Sequence, residues 1–197
     1  MSSATEQTRG MRPMILLDVD GVLNVLGNET SATWDVLMSG RATADGTSFS
    51  IMWSPEVIDT FLGWLERGIE VQWLTTWGHD ANSSLRHLVG LPELPVAGTY
   101  GEHWRGTAER TPTASHAEMA PAAPDPLTGE WWKYDVVKGL LRQHPDRLLI
   151  WIDDELFLPT PFRRWADDQE LVRPIGPDGD LGLTQADLDE IASLFGA

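Results

Sequence analysis

A chain of 197 residues with 42% hydrophobic content can bury a sizeable core and falls in the range of one domain. Its formal charge of −16, from 30 Asp and Glu against 14 Lys and Arg, opposes long-range attraction to polyphosphate, so bulk binding of duplex nucleic acid is not expected. The absence of cysteine excludes a disulfide framework, a thiolate zinc site and a cysteine nucleophile.

No apolar run approaches the ~20 residues of a membrane-spanning helix, so no membrane partner is expected. The opening MSSATEQTRGMRPM lacks the apolar core of a secretory signal. Residues 1–13 read as a disordered tail, with the cytoplasm as the default compartment, and residues 14–197 read as one domain.

Met14 to Val19 is an apolar run of strand length that stops at acidic residues and Gly21, as a central parallel strand buried on both faces would. Residues 27–53 alternate short apolar and polar stretches around Ala44-Asp45-Gly46, which predicts a β-hairpin flap between WDVLMS and SFSIMW. Ser54, Pro55 and Glu56 open a helix whose apolar Val57, Ile58, Phe61, Leu62 and Leu65 recur at helical spacing until Gly68. Ile69 to Leu74 predicts a second buried strand, and Ala81 to Val89 a short helix ending at Gly90.

A short strand is expected at Leu94 to Ala97, after which residues 98–130 read as a long loop rich in Pro, Gly, Thr and Ala. Trp132 to Gln143 predicts a helix, Arg147 to Ile152 a strand, Pro161 to Asp168 a helix and Glu170 to Arg173 a strand. Thr184 caps a terminal helix with Leu188, Ile191, Ala192 and Phe195 on one side. Alternating strands and helices predict a doubly wound α/β fold, a Rossmann-like three-layer parallel sheet whose ligand crevice lies beyond the strand C-termini.

Three predicted strands end at that crevice in polar groups: Asp18-Val19-Asp20-Gly21, Thr75-Thr76 and Asp153-Asp154. A carboxylate at Asp18 can attack phosphorus to give an aspartyl-phosphate, while Asp20 protonates the leaving oxygen and later activates water. Bare carboxylates repel phosphate. A hard, oxygen-seeking Mg²⁺ relieves that repulsion if it bridges Asp18, Asp153 and the substrate, with a hydroxyl and a lysine on the remaining phosphoryl oxygens. Thr75 and Lys133 are available for those roles, with Thr76 and Lys138 as alternatives. Lys133 is preferred because it stands at the helix start, and Thr75 because it directly follows the apolar run.

LLDVDGVLN, WLTTW, WKYDVVKGL and LLIWIDDE resemble, in order and character, the four motifs of the haloacid dehalogenase (HAD) superfamily, and together they span most of the chain. The resemblance implies a Rossmann-like core with a small flap and no large cap, and a Mg²⁺-dependent phosphatase. It also implies metal ligation by Asp18, the Asp20 backbone carbonyl and Asp153, phosphate contacts from Thr75, and a charge-neutralising Lys133. TTWGHDAN, WIDD and GLT further resemble a small subgroup of HAD domains with relatives in predicted RNA-repair proteins.

A calcium loop is the competing metal site, but the EF-hand pattern needs glycine at its sixth position, where counting from Asp18 gives Leu23 and from Asp178 gives Leu183. Trp77, Trp131 and Trp132 adjoin the motifs where a base or sugar could stack, and His79, Asn82 and Asp154 are further possible substrate contacts. Arg163 and Arg164 are expected to pair with Asp167 and Asp168. With a small flap the site is open, which fits a phosphorylated small molecule, a nucleotide as in a nucleotidase, or a nucleic-acid end. The rival is a non-catalytic HAD-like domain that binds a phosphorylated ligand or partner protein.

Overall fold

The computed structural model describes residues 12–28, 33–100 and 131–195. Four parallel strands form the sheet in the order β4-β1-β5-β6: β1 is Met14–Leu17, β4 Glu70–Trp73, β5 Leu149–Ile152 and β6 Val172–Ile175. In register, Leu17 lies between Trp73 on one side and Ile152 on the other, so β1, β4 and β5 end level with one another. That alignment brings Asp18, Thr75 and Asp153 to one edge.

The central strands are buried on both faces, as their unbroken apolar runs predict. Ile15, Leu17, Ile150 and Ile152 join a core with α1 (Pro55–Glu66), the flap, α2 (Arg86–Val89) and α5 (Gln185–Ser193). Met14, Leu16, Leu149 and Trp151 face a second core with α3 (Trp132–Gln143) and α4 (Pro161–Asp167). The expected three layers are therefore present, with a separate two-stranded hairpin of β2 (Met38–Ala44) and β3 (Thr47–Trp53).

Local chemistry fixes the element ends. The Ser54 hydroxyl accepts from Glu56 N at the start of α1, with Pro55 inside the first turn. Thr184 and Asp187 form a reciprocal capping box on α5. Asp45 and Gly46, both at positive φ, make the hairpin turn. Before α2, residues Ala81–Leu85 wind as a π-helix, and Gly90 ends α2 in the left-handed region.

Three expectations need correction. The segment Leu94 to Ala97 makes only a bridge between Trp73 and Val96, because Pro95 has no N–H with which to extend a ladder. The last strand lies at Val172–Ile175 rather than Glu170 to Arg173, and Pro174 is tolerated because β6 is an edge strand. Ala192 is exposed, although Leu188 and Ile191 beside it are buried. Residues 1–11 of the expected tail and 101–130 of the expected loop lie outside the described residues.

Candidate active site

The site is built on the turn after β1. Gly21 adopts φ +68°, and the chain curls so that Leu23 N and Asn24 N both donate to Val19 O while Gly21 N donates to Asn24 O. A Cβ on Gly21 would stand 2.4 Å from Asp154 Oδ2, so both the backbone angle and the close approach require glycine. The turn thereby meets the end of β5.

Asp18 is buried, and its Oδ1 accepts from Val19 N at 2.7 Å. Lys133 Nζ, in the first turn of α3, donates to Asp18 Oδ2 at 2.5 Å and to Asp153 Oδ2 at 2.7 Å. Lys133 is itself only 2% exposed, so its position is that of a buried ion pair rather than of a chain snorkelling to solvent. Lys138 pairs instead with Asp135 at 3.6 Å and lies over the Tyr134 ring.

Asp154 joins this group: carboxylate oxygens of Asp18, Asp153 and Asp154 all lie within 4.8 Å of one another. Three carboxylates face one ammonium, and the electrostatics follow from that imbalance. Burial works against the Lys133 charge, but Asp153 and Asp18 more than compensate and raise its pKa. Burial pushes the Asp153 carboxyl well up against the opposing pull of Lys133, with Asp18 adding repulsion. Burial, followed by the Asp18 charge, raises Asp154 to about 7.

Asp20 occupies different surroundings. Its carboxylate is held by two neutral donors, Asn24 Nδ2 to Oδ1 at 2.7 Å and Trp77 Nε1 to Oδ2 at 2.9 Å. Burial raises its pKa, the two hydrogen bonds oppose the rise, and Asp18 adds repulsion. Both holding residues are tied to the flap: Asn24 Oδ1 accepts from Met52 N at 3.0 Å, and the Trp77 ring meets Phe49 edge-on with centroids 5.6 Å apart. Asn24 escaped the sequence reading because an asparagine four residues after an aspartate has no distinctive signature before the turn is known.

The remaining residues sort by position. Thr75 is buried at the end of β4 and its Oγ1 accepts from Trp77 N at 3.3 Å, whereas Thr76 is half-buried. Trp77, Trp131 and Trp132 are 5%, 2% and 2% exposed, so they serve the core and Asp20 and offer no open ring for a base to stack on. Trp131 itself stacks on Trp151, centroids 4.9 Å apart. His79 is exposed on the turn after β4. Asn82 bonds Leu94 O, Leu94 N and Trp73 Nε1, a bracing role within the fold. Arg163 pairs with Asp167, while Arg164 donates to Pro159 O.

The donor set fits a hard divalent cation. Its spread of 4.8 Å is near the ~4 Å across an ion with ligands at ~2.1 Å, and its three carboxyl groups share a single ammonium, that of Lys133. Carboxylates following β1 and β5, a buried lysine at the start of α3 and a buried threonine after β4 are the marks of a HAD-type domain. Residues 14–188 match the family described as the HAD domain in Swiss Army Knife RNA repair proteins, and the chain belongs to that family. No curated protein compared with the chain matches it.

Proposed function

We propose that this protein is a Mg²⁺-dependent phosphomonoester hydrolase that works through an aspartyl-phosphate on Asp18 and acts on a nucleotide or nucleic-acid end. The observation that carries the reading is the pairing of Asp18, held beside Lys133 and the Asp153–Asp154 carboxylates, with an Asp20 held independently by Asn24 and Trp77. The family's association with RNA repair supports the substrate class.

Asp18 Oδ attacks phosphorus, and Lys133 stabilises the negative charge that gathers on the phosphoryl oxygens. The Thr75 hydroxyl lies at the same strand edge and donates to one of those oxygens. Asp20, in its protonated form, gives its proton to the leaving oxygen. As a carboxylate it then takes a proton from the water that attacks the aspartyl-phosphate, releasing phosphate and restoring Asp18. Asp18, Asp153 and Asp154, with the Asp20 carbonyl, would hold Mg²⁺, which when bound would supply Lewis-acid polarisation and charge neutralisation.

The test is phosphate release from a panel of nucleotides, sugar phosphates and phosphorylated oligonucleotides. Release that requires Mg²⁺, stops with a chelator and is abolished in Asp18→Asn supports the reading. Undiminished release by Asp18→Asn refutes it, and release from sugar phosphates alone refutes the substrate class.

A further inference from the structure

The flap has two chemically distinct faces. In the β2–β3 register Arg41 lies opposite Ser50, Ser39 opposite Met52 and Thr43 opposite Ser48, so these side chains share one face. Ala42, Ala44, Ile51 and Trp53 on the other face are buried against the core. Beside the polar face runs a groove of about 540 Å³, lined by residues 24–27 on one wall and by Ser39, Gly40, Arg41, Ser50, Ile51 and Met52 on the other. Its volume lies within the ~300–1,000 Å³ typical of small-molecule sites.

Three features distinguish this groove from ordinary surface. Among the described residues no carboxylate lines it, in a chain carrying 30 Asp and Glu. Arg41 is its cation, and Arg41 has no carboxylate partner among the described residues. Its guanidinium is instead held by Ser48 Oγ at 2.9 Å, Ser50 Oγ at 3.2 Å and Ser48 O at 2.8 Å, neutral acceptors that orient the group and leave its charge uncompensated. Finally, the groove starts at Asn24, the residue whose amide holds Asp20.

We propose that the groove binds the leaving group of the substrate, with Arg41 contacting a second phosphate one nucleotide away from the phosphoester at Asp18. The inference rests on the phosphohydrolase reading and narrows its substrate class to a phosphorylated nucleic-acid end rather than a mononucleotide. A leaving group released at Asp20 passes beside Asn24 into a space of nucleoside size. Val25, Leu26 and Met52 supply apolar contact there, and the serines supply hydrogen-bond donors for a sugar. The planar guanidinium suits bidentate recognition of a phosphodiester.

The test separates binding from turnover. In an Asp18→Asn background with Mg²⁺, titration calorimetry compares a 5′-phosphorylated dinucleotide with the corresponding nucleoside monophosphate. The dinucleotide binds more tightly, and adding Arg41→Gln weakens it about tenfold, the usual effect of losing a charged hydrogen bond. Arg142→Gln removes the same charge at the far end of α3 and leaves both affinities in place. Equal loss with the two arginine variants, or equal binding of the two ligands before any arginine is changed, overturns the proposal. If this binding pattern holds but the wild-type protein releases no phosphate from either ligand, the hydrolase reading fails while the groove assignment stands.

Discussion

Asp18 and Asp20 stand two positions apart, yet one is embedded among charges and the other among neutral donors. Asp18 is buried beside the Lys133 ammonium and two further carboxyl groups, a donor set that fits a hard cation. Asp20 is partly open and accepts from an amide and an indole N–H, neither of which can neutralise it. Under the proposed mechanism a nucleophile and an acid/base group make different demands on their surroundings, and the two carboxyl groups of this short turn have neighbours of different kinds.

The strongest way to break this contrast is Lys133→Met. Removing the ammonium leaves buried carboxylates facing one another, so the variant should lose about 3–5 kcal/mol of stability at neutral pH, the usual result of breaking a buried ion pair. Urea unfolding with and without Mg²⁺ measures the loss. The deficit should shrink when Mg²⁺ is added, because a cation takes over part of the neutralisation. An unchanged unfolding midpoint without metal would show that the cluster does not carry the excess negative charge assigned to it. Phosphate release should be lost in the same variant.

How much of this was legible beforehand depended on the range of the interactions involved. The positions of β1, β4 and β5, the Ser54 and Thr184 caps and the helix that starts at Trp132 follow from local periodicity and from side chains within three residues of their partners, whereas the last strand lies two residues later than expected. Asp18, Thr75, Lys133 and Asp153 were nameable because each ends a strand or opens a helix. Asp154 as a member of the carboxylate cluster, Asn24 and the indole of Trp77 were not. Their roles depend on contacts made only after β1, β5 and the flap are brought together, such as the 57-residue separation between Asp20 and Trp77. The sequence leaves Trp77 open between core packing and a possible stacking contact, because a tryptophan beside a motif gives no hint of which way its N–H points.

Trp77→Phe breaks the other half of the contrast. It deletes the donor to Asp20 Oδ2 and keeps an aromatic ring to meet Phe49, so turnover should fall roughly tenfold, as expected for one hydrogen bond to a charged group. The fall should appear in kcat more than in KM. It should also be smaller for a substrate with a good leaving group, such as an aryl phosphate, which needs less help from a proton donor. Equal losses on aryl and alkyl phosphates would assign Trp77 to packing alone.

The smallest effect is a control far from both carboxylates. Glu70 at the start of β4 meets Arg147 Nη1 at 2.6 Å and also accepts from Gln72. Partial burial works against its charge, but Gln72 and Arg147 outweigh it and hold the carboxyl below its ordinary value. A carboxyl with a folded pKa below its unfolded one adds stability above the unfolded value of 4.5, and this is lost as pH falls through the folded value. Its side chain is 38% exposed, so solvent screening limits the contribution to less than about 1 kcal/mol. Glu70→Gln should therefore lower the unfolding midpoint slightly at pH 7, less so at high salt, and the difference from wild type should vanish in acid. Phosphate release at pH 7 should be unchanged, because nothing in the Glu70–Arg147 pair touches Asp18 or Asp20. A loss of turnover in that variant would mean that the register of β4 against β1, and with it Thr75, depends on a surface ion pair more than its exposure allows.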